Sequence, residues 1–275
     1  MKFSIGIPAF KATYLEDCIN SILSQSYKDF EIVIVNDASP ENIYDIVQKF
    51  KSKNITYYEN EKNIGATNVV DNWNKCLALS KGEYFVLMGD DDKLAPNYLK
   101  EFNELIENYP LCDVFHCRTK IIDEIGRPIA LTEPRPEFET VYDSIFQRMQ
   151  NNRVFFISDY VYRTLTLKNN GGFYKLPLAW ASDDISAYIA TASNGIAHTN
   201  SPLFVYRMNA QTISSLGSTH LKLDAILKEK KWLEDFIKIE ATNEFAEIVR
   251  KNIISDLNRF IQKKKIITLS METSV

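Results

Sequence analysis

Residues 81–99 read KGEYFVLMGDDDKLAPNYL, in which a mostly apolar run from Glu83 to Met88 gives way to a glycine and three consecutive aspartates, and an amphipathic segment begins near Pro96. An apolar run this short, bounded by glycines, is the pattern of a strand covered on both faces. Leu99, Phe102 and Ile106 then recur at helical spacing. The order strand, polar loop, helix is the building unit of an α/β domain.

The same unit recurs on both sides of this stretch. FSIGI (3–7) predicts a strand, and Leu15, Cys18, Ile19, Ile22 and Leu23 mark a helix after it. EIVIV (31–35) predicts a second buried strand, followed by a helix carrying Ile43, Ile46, Val47 and Phe50. A strand at about 55–58, a helix with Val70, Trp73 and Leu77, and a strand around 114–117 complete the pattern. The expected fold is α/β with a mainly parallel central sheet flanked by helices. The stretch from about 124 to 140, with Gly126, Pro128, Pro134 and Pro136, reads as a long connection. From about residue 219, apolar residues return with helical period in two amphipathic segments, and the chain is expected to divide into a domain over 1–217 and a helical appendage over 218–275.

In a parallel sheet, ligands gather at the carboxyl ends of the strands, where helix N-termini and free backbone groups converge. The loops there read Pro8-Ala9-Phe10, Asn36-Asp37-Ala38-Ser39 and Gly89-Asp90-Asp91-Asp92. Carboxylates crowded at one point repel unless a cation neutralises them, and hard divalent ions bridge one or two carboxylates to a substrate diphosphate. On the residues alone a second reading stands beside this one: a solvated turn whose last aspartate caps the next helix.

Composition excludes several other classes. At 275 residues with 45% hydrophobic and 25% charged content, the chain suits one sizeable core. The N-terminus lacks a signal-peptide apolar stretch and no run approaches 18 apolar residues, so a cytoplasmic protein is expected. Cys18, Cys76, Cys112 and Cys117 form no CxxC pair and read as buried free thiols. Three histidines are too few for a histidine-rich metal centre, and a net charge of -4 gives no global attraction to nucleic acid.

Taken in order, FSIGIPAF (3–10), LEDCINSILSQSYKDFEIVIVNDAS (15–39), NIGATNVVDNWN (63–74), KGEYFVLMGDDDKLAPNYL (81–99), GGF (171–173), the pair Asp183-Asp184 and YRMNAQTIS (206–214) cover most of residues 3–215. In this series the chain resembles the inverting glycosyltransferases of family two, which have the GT-A fold of nucleotide-diphospho-sugar transferases. The resemblance implies metal-dependent, inverting transfer of a sugar from a nucleoside-diphosphate donor, a UDP-sugar first, to an acceptor hydroxyl. The implied setting is surface polysaccharide or glycolipid assembly, with a saccharide or lipid-linked saccharide as acceptor. Pro8, Ala9 and Phe10 would line the base pocket, Asp37 would accept a hydrogen bond from the base, and Asp90 would lie near the ribose. Asn68 lies in the segment whose amides reach the donor or hold the acidic loops. Asp91 would carry Mn²⁺ or Mg²⁺, with Asp92 as a supporting carboxylate. Arg207 would approach the donor phosphates. Asp184 would be the catalytic base, with Asp183 positioning it, and Trp180 would form a wall against a sugar ring.

Asn36, Gly89 and Asn209 depart from the family pattern, which often has aspartate, aspartate and histidine there. Each singled-out residue also has a bland reading: an Asx-turn for Asp37, helix capping for Asp183, packing for Trp180 and Trp73, and an ion pair for Arg207. The basic C-terminal helices are either solvated or in peripheral contact with the inner face of an anionic membrane. The competing functions are a non-catalytic nucleotide-sugar-binding protein and a sugar nucleotidyltransferase. The second of these usually has a glycine-rich first loop, where this chain has PAFKATY.

Overall fold

The computed structural model of the chain describes residues 1–209, 218–241 and 243–272, with side chains through residue 270. The first half alternates as the apolar runs predict: β1 (Phe3–Ala9), α1 (Leu15–Leu23), β2 (Phe30–Asn36), α2 (Ile43–Gln48), β3 (Ile55–Glu59), α3 (Val69–Leu79), β4 (Tyr84–Leu87), β5 (Lys93–Leu94) and α4 (Tyr98–Asn108). The second half adds β6 (Val114–Ile122), β7 (Pro128–Leu131), β8 (Phe138–Glu139), α5 (Val141–Met149), β9 (Tyr160–Arg163), α6 (Thr164–Asn169), α7 (Ser182–Thr191) and β10 (Ile196–Arg207). Two helices follow, α8 (Thr219–Phe236) and α9 (Glu244–Glu272).

The strands form one sheet in the order β3-β2-β1-β4-β9-β6-β10-β5, with β7 added to β6 and β8 to β10. β3, β2, β1 and β4 are parallel to one another and β10 is parallel to β6, whereas β9 runs antiparallel to both β4 and β6. The sheet is therefore mainly parallel, as expected.

Each central strand is buried on both faces because its residues alternate between two apolar layers. Phe3, Ile5, Ile32, Ile34 and Val86 pack with α1 and α4, while Val33, Val35, Phe85 and Leu87 pack on the other side with Val70 and Leu77 of α3. Each such side chain contributes about 1.5–3 kcal/mol by leaving water. Gly6 lets α3 approach closely, since a Cβ there would lie 2.7 Å from Cys76 Cβ and 2.8 Å from the Phe85 ring. All four cysteines are buried free thiols.

One expectation changes. The stretch from 124 to 140 is not a plain connection: β6 turns at Asp123–Gly126, with Gly126 at a φ of 89°, and returns as β7. All four β7 residues are exposed, so no apolar alternation marks the strand. The helices after residue 218 pack against the sheet. Ile226, Leu233, Ile253, Leu257 and Ile261 belong to the same buried cluster as Phe85 and Leu87. Residues 210–217, which include the end of the YRMNAQTIS segment and the expected boundary, lie outside the described residues. Among the described residues no helix is long and apolar enough to cross a membrane.

Candidate active site

The register of β1 with its neighbours sets the three polar loops side by side. Ala9 pairs with Asn36 of β2 and Gly6 with Leu87 of β4, so the chain leaves all three strands at one edge. The backbone of Asp37 donates to the Ala9 carbonyl at 3.0 Å, joining the first two loops. Asp90 joins the third: its Oδ2 accepts from the amides of Phe10 and Lys11, both at 2.8 Å.

Asp37 is buried, and its Oδ1 accepts from Asn60 Nδ2 at 2.8 Å and from the Ile64 amide at 3.1 Å. The bland roles considered for it fall to neighbours. Asn36 makes the Asx-turn, accepting from the Ser39 amide at 3.0 Å, and Asn42 caps α2. Pro8 and Ala9 end β1, and Phe10 is exposed beside them. Asn68 ends the Ala66–Asn68 turn and donates to the Ile64 carbonyl at 3.0 Å.

The three aspartates are held in three different ways. Burial, and next the charge of Asp91, push the Asp90 carboxyl up to about 6 against the pull of its two amide partners. Asp91 is half-buried and its Oδ2 accepts from Asn209 Nδ2 at 2.6 Å. Asp92 is buried, its carboxyl raised by burial and by Asp91, and its Oδ1 accepts from the Arg207 amide at 2.8 Å. It does not cap the following helix, whose N-cap is Asn97. At Gly89 a Cβ would lie 2.7 Å from Asp92 Oδ2, so the third carboxylate occupies the space that a side chain at 89 needs.

Arg207 ends β10 and is buried. Its guanidinium donates to the carbonyls of Asp91 at 3.0 Å and Glu124 at 2.9 Å, lies 3.6 Å from Asp17, and stacks over Tyr14. This arrangement ties the Asp90–Asp92 loop to the end of the sheet. Beside it, an open cleft of about 510 Å³ is lined by Asp123, Glu124, Ile125, Arg127, Met208 and Asn209.

Among the described residues no three or more His, Cys, Asp or Glu side chains form a closed metal cage. The loop does suit an ion that takes most of its ligands from a diphosphate and water, because such a site needs only one or two carboxylates. Asp91 would supply one, and the charge of Asp91, which adds to burial in raising Asp90 and Asp92, is what a divalent ion would relieve.

The second acidic pair opens α7. Leu178, Ala179 and Ala181 just before it all have left-handed backbones, with φ of 58°, 54° and 68°. Non-glycine residues held there cost on the order of 1–3 kcal/mol each, and such outliers gather at functional sites. The half-buried Trp180 sits among them, with Lys222 Nζ of α8 5.1 Å from its ring. The Pro177–Ala179 turn packs against the Ala66–Asn68 turn, bringing Trp180 toward the donor loops. Asn74 fixes the preceding GGF segment by bonding both the amide and the carbonyl of Phe173, at 2.7 and 3.1 Å. The cap position of α7 is Ala181, and Asp183 Oδ1 accepts from the Asp184 amide at 3.0 Å. Asp184 is buried, with its Oδ2 3.3 Å from Arg148 Nε of α5.

Sequence reasoning did not identify Arg148, Ser158 or Asp159. Ser158 accepts from the Gly89 amide at 3.2 Å, and Asp159 is fully buried with Thr119 and His116. No periodicity or motif singles them out, because their partners lie tens of residues away.

Comparison with known proteins agrees with this architecture. A poly(ribitol-phosphate) beta-N-acetylglucosaminyltransferase, TarS of Staphylococcus aureus, is 26% identical over 190 residues, which is 67% of this chain and 31% of that protein. A poly(ribitol-phosphate) beta-glucosyltransferase of Bacillus spizizenii is 28% identical over 162 residues, 56% of this chain and 25% of that protein. The matched region thus spans a third or less of either relative. The crystal structure of S. aureus TarS 1-349 in complex with UDP-GlcNAc superposes with a TM-score of 0.74 at 21% identity, covering 94% of this chain and 72% of that one. A mannosyltransferase of Pyrobaculum calidifontis in complex with GDP-Man and Mn²⁺ gives 0.64 at 14% identity, covering all of this chain and 75% of that one. These likenesses show the GT-A fold. The model of glycosyl transferase family 2 matches residues 4–163, and the chain belongs to that family.

Proposed function

We propose that the protein transfers a sugar, with inversion, from a UDP-sugar to an acceptor hydroxyl in the assembly of a surface polysaccharide. The observation that carries this reading is the joining of three loops at one sheet edge by Asp37 and Asp90, with Asp91 held beside them by Asn209. Family membership and relatives named for transfer to poly(ribitol phosphate) support it.

In this reading Pro8, Ala9, Phe10 and Asn68 border the nucleotide, and the Asp37 carboxylate accepts a hydrogen bond from the base. Asp90 holds the first loop against the ribose. Asp91 would hold Mn²⁺ or Mg²⁺, which when bound neutralises charge building on the leaving diphosphate. Arg207, fully engaged with the loop, sets its shape. Trp180 walls the sugar, and Asp184, positioned by Asp183, takes the acceptor proton as the acceptor oxygen attacks the anomeric carbon. Residues 1–217 carry the donor loops, and 218–275 supply helices that support Trp180 and α7. Their basic face gives a surface for peripheral contact with an anionic inner leaflet.

A thermal-shift panel of UDP-GlcNAc, UDP-glucose and GDP-mannose, with and without Mn²⁺, tests the donor half. At least one nucleotide sugar should raise the melting temperature more with Mn²⁺ than without it. Indifference to every donor under both conditions would rule this reading out. Release of UDP that depends on Mn²⁺ separates an enzyme from a binding protein.

A further inference from the structure

We infer that the outer face of α9 is a docking surface for a second copy of this chain, whose α9 packs against it antiparallel as a two-helix coiled coil. The inference is independent of the sugar-transfer reading above.

The two faces of α9 are used differently. Ala246, Ile253, Leu257 and Ile261 turn inward and are buried with Ile226 and Leu233 of α8 and Ile145 of α5. On the opposite side, Phe245 and Ile248 at one end are 80% and 52% exposed, and Ile266 and Leu269 at the other are 65% and 47% exposed. Between these ends, in line with them, lie Asn252, Ser255, Arg259 and Gln262, all exposed. From Phe245 to Leu269 the steps alternate between three and four residues without a break. Such steps keep side chains in one narrow stripe, and sustained over three heptads they make the seam of a coiled coil. The fold of one copy leaves this seam in water.

The order of residue types along the stripe identifies the occupant. From either end it runs apolar, apolar, polar, polar, so the stripe matches itself when reversed. With a two-fold axis level with Leu257, Phe245 meets Leu269 of the second copy and Ile248 meets Ile266. Asn252 meets Gln262, and Ser255 meets Arg259. Every contact then occurs twice, as a two-fold interface requires. The end layers cover apolar side chains with apolar ones, and the amides of Asn252 and Gln262 each offer both a donor and an acceptor to the other. Polar residues inside a seam fix its register at a cost in stability.

Charge agrees with this pairing near the axis. Asp256 borders the stripe, and its Oδ2 accepts from Gln150 Nε2 at 2.6 Å and from Arg259 Nη2 of the same helix at 2.9 Å. In the reversed pairing Arg259 of one copy comes level with Asp256 of the other on the same flank, so two guanidinium–carboxylate contacts cross the axis. On the opposite flank Lys251 comes nearest Lys265 of the second copy, which weakens the pair. A single helix pair about 36 Å long is at the small end of specific interfaces, so dimers should form at micromolar protein. A lipid surface fits the stripe less well. The four central residues, a guanidinium and two amides among them, would have to enter the acyl boundary together with the apolar ends.

The test follows the molar mass of the full chain by sedimentation equilibrium from about 2 to 200 µM protein. Wild type should pass from monomer toward dimer over this range. Ile248→Glu or Ile266→Lys alone sets a charge against an apolar side chain of the second copy and should weaken association about tenfold or more. The double variant should associate about tenfold more tightly than either single one, because each introduced carboxylate then meets an introduced ammonium. A parallel pair would set like charges together and gain nothing. Both side chains are exposed, so melting points should stay at the wild-type value, which checks that each variant is folded. The inference is overturned if wild type remains monomeric throughout, if neither single variant weakens association, or if the double variant is no tighter than the singles. Monomeric wild type that co-sediments with anionic lipid vesicles, and loses them in Ile248→Glu, would overturn it in favour of a membrane.

Discussion

At the scale of single residues, Asp91 separates donor binding from simple loop structure. Asp91→Asn keeps the size and the contact with Asn209 but removes the charge that an ion needs. At donor concentrations about 100 times the dissociation constant, bound ligand stabilises a protein by about 2.7 kcal/mol. The Mn²⁺-dependent part of that stabilisation should disappear in Asp91→Asn, read as a lost thermal shift with little change in the unliganded melting point. A purely structural role would lower the unliganded melting point instead. Gly172 is a second such position, with a φ of 82° and no room for a Cβ beside Asn74 Oδ1. Gly172→Ala should cost about 2–4 kcal/mol in urea unfolding, from backbone strain and displacement of the Asn74 clamp. The acidic loops were legible in the sequence because like charges set next to a buried strand demand an explanation. Arg148 was not, since an arginine on an amphipathic helix looks the same whether it meets water or a carboxylate 36 residues on.

At the scale of elements, the parallel half of the sheet announces itself and the rest does not. β1, β2 and β4 are buried on both faces, and each leaves an unbroken apolar run. β9 has only four residues between a turn and a helix, and β10 is interrupted near Thr199–Pro202, where its register against β6 shifts. Yet β6, β8 and β10 enclose a polar knot that no local pattern reveals. His198 on β10 lies 3.2 Å from Glu139 on β8, and its ring is 5.0 Å from that of His116 on β6. Burial lowers the His198 imidazole to about 4 despite Glu139. The folded state therefore keeps His198 neutral where the unfolded chain takes up a proton, so its contribution is intact above pH 6.5 and lost as pH falls toward 4. Relative to His198→Gln, the wild type should lose roughly 2 kcal/mol of stability between pH 6.5 and pH 5. Equal pH dependence of the two proteins in urea titrations would show that the imidazole is solvated.

At the scale of the whole molecule, the C-terminal helices and the sheet should unfold together. Leu233 of α8 is buried in the cluster that also holds Phe85 and Leu87 of the central sheet. Leu233→Ala should cost about 2–5 kcal/mol, and a single cooperative transition should persist. A separate early transition in the variant would mean that the helices melt as a unit of their own. The sequence showed two amphipathic helices, but not which surface they cover, because a helical stripe names no partner. Those helices lean on α5 and on the turn before Trp180. Swapping the C-terminal segment between relatives to exchange acceptors would therefore be a poor engineering route. The crossover would have to lie upstream of α5, so that Arg148 travels with the helices packed around it.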